Sequence, residues 1–90
     1  MIEDITRIAR AAALSVKGVA ALTPPMDITV SKKKDKFEVD LYMAVYFGVK
    51  IPEIAWNVQE KVNSSLIDEG ITNVEHINIH IQGVKDTEGK

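Results

Sequence analysis

The stretch Phe37-Glu38-Val39-Asp40-Leu41-Tyr42-Met43-Ala44-Val45-Tyr46-Phe47 alternates large apolar residues with polar or smaller ones. Side chains of an extended strand leave opposite faces in turn, so a period of two predicts a strand with one buried face. Phe37, Val39, Leu41, Met43, Val45 and Phe47 are expected on that face. Glu38, Asp40, Tyr42, Ala44 and Tyr46 are expected on the other. Upstream, Asp27 to Ser31 places Ile28 and Val30 on one face, and Lys32-Lys33-Lys34-Asp35-Lys36 reads as a polar turn. The two strands therefore predict an antiparallel hairpin with lysines at its tip.

Working outward, Gly48 breaks the long strand and Pro52 suits the first position of a helix, where its missing N–H costs nothing. Ile51, Ile54, Ala55, Val58, Val62 and Leu66 recur at helical spacing, and Gly70 stops the run. From Val74 to Val84 a last strand sets Ile77, Ile79 and Ile81 against His76, Asn78, His80 and Gln82. At the other end, Ile5, Ile8, Ala9, Ala12 and Val16 predict a helix over Ile2 to Lys17, with Gly18 as its C-cap. The run Val19 to Leu22 then leads to Pro24-Pro25, which cannot continue a helix and lacks ladder donors.

The order is helix, strand, strand, helix, strand. It predicts an α+β two-layer sandwich, a three-stranded sheet with both helices on one face. The crossover through the second helix makes the last strand parallel to the long one. Whether it lies beside that strand or beside the first stays open. A single domain is expected over 1–90, with its core over 2–84 and a polar tail over 85–90.

Composition narrows the function. The chain has 90 residues, 46% hydrophobic and 27% charged, which excludes a disordered chain. Eleven basic residues against 13 acidic give a charge of -2, which argues against a general nucleic-acid binder. There is no cysteine, so no thiol nucleophile, Cys-ligated zinc or iron–sulfur cluster. Acids precede Arg7 and Arg10 at the start, unlike a secretory signal, and no apolar run reaches about 18 residues. A cytoplasmic protein is expected.

Tyr46-Phe47-Gly48-Val49-Lys50-Ile51-Pro52-Glu53-Ile54, Val58-Gln59-Glu60-Lys61-Val62 and the strand Val74 to Val84 resemble the alkaline shock protein family of bacterial envelope stress response proteins. The first helix, ending Val16-Lys17-Gly18-Val19-Ala20, is similar to that family's first segment. The resemblance runs roughly from Ile2 to Val84. It implies a cytoplasmic, non-enzymatic protein with no cofactor, working by self-association or through a partner protein near the membrane. On this resemblance the sequence is expected to be nearly the bare core of that family, without the charged tails of its larger stress-induced members.

Each candidate site has a plainer alternative. His76 and His80 share a strand face but sit roughly 13 Å apart at about 3.3 Å per residue, too far to share an ion easily. A solvated polar face accounts for them better. Lys32, Lys33, Lys34 and Lys36 form the one basic cluster, suited to an anion or nucleic acid, or simply to blunting a sheet edge. The element order is similar to that of KH-type RNA-binding modules, but no GXXG backbone clamp occurs. No nucleophile elbow, P-loop, H-E-x-x-H or dinucleotide motif is present. Trp56 and Ile67 fall on the flank of the second helix away from its apolar stripe, and Tyr42 and Tyr46 on the sheet face away from the helices. Bulky apolar groups outside the core suit a contact surface.

Overall fold

The computed structural model describes residues 1–86; the expected polar tail lies outside the described residues from position 87 onward. The elements run α1 (Ile2–Leu14), β1 (Val19–Leu22), β2 (Ile28–Lys33), β3 (Lys36–Tyr46), α2 (Ile51–Asp68) and β4 (Val74–Lys85). The class is α+β, as the sequence predicts, but the sheet has four strands.

The long alternating strand is the centre. β1 and β2 pair antiparallel with one side of β3, end to end: Val19 to Leu22 against Val45 to Met43, and Ile28 to Lys33 against Leu41 to Lys36. β4 pairs parallel with the other side, Val39 opposite Ile77 and Met43 opposite Ile81. The last strand thus lies beside the long strand, which settles the open order. The additional strand, β1, is the run Val19 to Leu22. Pro24 and Pro25 detour from the sheet at the break between β1 and β2, and Tyr42 spans the gap. Its N–H donates to the Asp27 carbonyl at 2.7 Å, and its carbonyl accepts from Thr23 N–H at 2.9 Å. A backbone without a gap in its hydrogen bonds explains why two short pieces serve as one edge.

The core lies on the odd-numbered face of β3. Phe37, Val39, Leu41, Met43 and Val45 are buried there under Ile5, Ala9 and Ala13 of α1 and Ile54, Val58, Val62 and Leu66 of α2. Both helices therefore cover one face. Three details differ from expectation. α1 ends at Leu14 rather than Lys17, because the turn after Ser15 carries the chain to β1. Gly18 has φ +103°, yet it serves that turn rather than capping the helix. Phe47, expected in the core, is 70% exposed. The strand ends at Tyr46, and Gly48 at φ +93° begins the turn toward α2, so Phe47 lies past the last strand residue.

Candidate functional site

The even-numbered residues of β3 and β4 build an open polar face. Register sets Glu38 opposite His76, Asp40 opposite Asn78 and Tyr42 opposite His80. Asn78 donates to Glu38 Oε2 at 2.7 Å and to Asp40 Oδ1 at 3.2 Å. His80 Nε2 lies 2.9 Å from Asp40 Oδ1; a carboxylate only accepts, so the ring carries its proton on that nitrogen. The Tyr42 ring stacks on His80 with centroids 4.4 Å apart and planes 11° from parallel. Gln82 extends the ladder by a 2.9 Å hydrogen bond with Thr23. His76 Nε2 lies 3.9 Å from Glu75 Oε1, beyond hydrogen-bond distance, so of the two only His80 has a carboxylate partner, and no metal-binding group of His, Cys, Asp or Glu forms among the described residues.

Tyr42 and Tyr46 are both half-buried on this face. Ala44 between them is only 2% exposed, so the face is tightly filled at that end. Sequence reading singles out the tyrosines but misses the partnership of Tyr42 with His80. The signal is present in the parity of the two strands, yet it needs the parallel register to be read.

Trp56 and Ile67 sit apart from this face, on α2. They are 60% and 51% exposed. Eleven residues at about 100° each bring them to nearly one line along the helix, roughly 16 Å apart. Glu60 and Asn63 fill the line between them at spacings of four and three. The flank of α2 nearer β4 carries Gln59, whose side chain donates to the Ile77 carbonyl at 2.8 Å. That bond follows from strand parity. Phe37 and Phe47 donate toward β4, Tyr42 and Tyr46 toward the opposite side, and Val39 pairs with Ile77. The peptide groups of Ile77, Ile79 and Ile81 are thereby turned to the outer edge of β4.

The lysines gather at the turn between β2 and β3. The β2–β3 ladder runs out to Lys33 opposite Lys36, so the turn itself is Lys34-Asp35, with Lys34 at φ +59°. All four lysines are exposed. Lys33 is 3.5 Å from Glu38, and Lys32 Nζ lies 5.7 Å from the Phe37 ring centre. The cluster is real as a surface, and two of its members are partly engaged with neighbours.

Asp27 anchors the sheet to α1. Arg10 Nη1 donates to its Oδ2 at 2.7 Å, and Ile28 N–H donates to its Oδ1. The Arg10 hydrogen bond, then the Ile28 backbone donor, hold the Asp27 carboxyl below the usual carboxylate value.

Solved structures of the MamM C-terminal domain share this architecture. The form spanning residues 215–293 matches with a TM-score of 0.73 and 16% identity, covering 92% of this chain and 99% of that one. The H264E variant matches with 0.72 and 17%, covering 90% and 93%. At that identity the likeness concerns the fold alone. In sequence, YqhY of Bacillus subtilis (strain 168) is 36% identical over 58 residues, 64% of this chain and 43% of that protein. YloU of the same strain is 35% identical over 60 residues, 67% of this chain and 50% of that protein. The chain thus spans about half the length of these relatives. Residues 23–86 match the model of the alkaline shock protein family, which is described by a cell envelope-related function. That match takes in β2, β3, α2 and β4 whole, with the stretches Tyr46–Ile54, Val58–Val62 and Val74–Val84 that carry the resemblance; α1 and β1, where the first segment's similarity is expected, lie outside it. The chain belongs to the alkaline shock protein family.

Proposed function

We propose that the chain is a non-enzymatic interaction module of the cell-envelope type, working by self-association or by docking on a partner protein near the membrane. The observation that carries this reading is the α2 line from Trp56 to Ile67, with two bulky exposed apolar groups outside the core. A surface tryptophan exposes a large apolar area to water and is the residue type most enriched at the anchors of protein interfaces. Its spacing of four, three and four to Glu60, Asn63 and Ile67 is that with which one helix packs on another. The Tyr42 and Tyr46 face is the second contact surface of this reading, narrower because Tyr42 is already stacked on His80.

Light scattering over a dilution series, with absorbance at 260 and 280 nm on the same peak, tests it. A dimer or larger species that Trp56→Ala shifts toward monomer supports self-association. A monomer in both forms leaves docking on another protein, read by pull-down with wild type against Trp56→Ala. Nucleic acid on the peak, lost on charge reversal at Lys32, Lys33, Lys34 and Lys36, favours the KH-like alternative instead.

A further inference from the structure

The exposed apolar residues are unevenly placed along the molecule, which measures 44 × 25 × 19 Å. Leu14, Phe47, Ile51, Trp56 and Val84 gather at one end, where α1 finishes, β3 and β4 finish and α2 begins. Backbone bonds fix the grouping. Tyr46 N–H donates to the Gly18 carbonyl at 2.9 Å and Phe47 N–H to the Lys85 carbonyl at 2.7 Å. Leu14 and Phe47 border one open concavity of about 610 Å³. Lys17, Lys50 and Lys85 stand exposed around this end, and none is ion-paired among the described residues. The described acids at this end are Glu53 and Asp86, so it is locally basic on a chain of net charge -2.

We infer that this end docks on an anionic lipid surface, Phe47 and Val84 entering the headgroup boundary while the three lysines meet lipid phosphates. Phe and Trp side chains partition to that boundary, and lysine stems let the ammonium reach phosphate while the apolar groups go deeper. A two-fold copy of this chain is a poorer occupant, because it would bring two patches of the same charge sign together. The inference shares Trp56 with the self-association reading, and Phe47 and Val84, which lie off the Trp56–Ile67 line, separate the two.

Trp56, the one tryptophan, stands on the shoulder of this end and reports the event. The test is co-sedimentation of the full chain with vesicles of phosphatidylcholine alone or mixed equally with phosphatidylglycerol, with Trp56 emission recorded. Expected are binding to the mixed vesicles, a blue shift of Trp56 and loss of both at high salt. Lys17→Gln, Lys50→Gln and Lys85→Gln each weaken partitioning about fivefold. Phe47→Ser with Val84→Ser abolishes it while circular dichroism and the association state stay as in wild type. The inference is overturned by no binding to mixed vesicles at low salt, or by binding that these variants leave intact. It is equally overturned by binding lost only on neutralising Lys32, Lys33, Lys34 and Lys36 at the turn between β2 and β3. A blue shift that arises on concentrating the protein without vesicles, and that Phe47→Ser removes, assigns the end to a second copy and overturns it too.

Discussion

Single residues at this fold's junctions carry costs that composition does not show. Gly18 sits at φ +103°, and a Cβ built there would lie 2.6 Å from Ile54 Cδ1 and 3.3 Å from Val49 Cγ1. Ile54 is buried, so its methyl has little room to retreat. Gly48 has φ +93° but open space around it. Both alanine variants meet the penalty for left-handed backbone, about 1–2 kcal/mol, and only Gly18→Ala adds the clash. Chemical denaturation is expected to show Gly18→Ala less stable than Gly48→Ala by about 1 kcal/mol or more; equal losses would mean that Ile54 moves freely. Asp27 gives a pH prediction. Its folded pKa lies below the ordinary 3.8, so its ionised form is the one the fold favours. That contribution is complete above about 3.8 and is lost as pH falls through the lower folded value. Asp27→Asn should flatten the acid limb of a stability–pH curve, with a modest effect at neutral pH because both side chains of the pair keep about a third to a half of their surface in water. Phe47 shows where residue reading stops. Alternation alone extends the buried face to it, but the strand ends at Tyr46 and the last member of the series is 70% exposed.

At the scale of elements, what is legible follows periodicity, and what is missed lacks length. β3, α2 and β4 have long regular patterns and emerge within a residue or so of their expected bounds. β1 has four residues, too few to display alternation, and it becomes a strand only because the end of β3 would otherwise keep open hydrogen-bonding groups. The candidate surface is partly legible for the same reason. Helical phase places Trp56 and Ile67 outside the core, and the structure has them there. The Asp40–His80–Tyr42 grouping depends on register between strands distant in sequence, which no local pattern encodes. α2 separates stability from interaction cleanly. Leu66 is 1% exposed in the core, and Leu66→Ala is expected to cost about 2–5 kcal/mol in a denaturant titration. Trp56→Ala, on the outer flank of the same helix, is expected to change stability by less than about 0.5 kcal/mol. A large loss from Trp56→Ala would mean that the indole is a core element and would remove the basis of the interface reading.

On the scale of the whole molecule, one cluster joins both helices to β1, β2 and β3, with the β4 isoleucines packed against it. Nothing in that arrangement lets a helix lose its partner without uncovering the sheet, so unfolding should be one cooperative step. Two signals report opposite sides of the structure. The far-ultraviolet dichroism follows α1 and α2, while near-ultraviolet tyrosine dichroism follows Tyr42 against His80 on the helix-free face. Leu41 is fully buried at the middle of β3, between them. Leu41→Ala removes a side chain that both layers share, at a cost of about 3 kcal/mol. For a domain of this size that lowers the thermal midpoint by roughly 10–20 °C. The two signals are expected to coincide in the wild type and to move down together in the variant. A tyrosine transition that stayed in place while the helical one dropped would show the sheet standing without its helices, against a common core. At concentrations where the chain is monomeric, Trp56 emission should change little through the same melt, since the indole is 60% exposed there. Its emission is therefore a probe of docking rather than of folding, which lets both questions be asked of one unmodified chain.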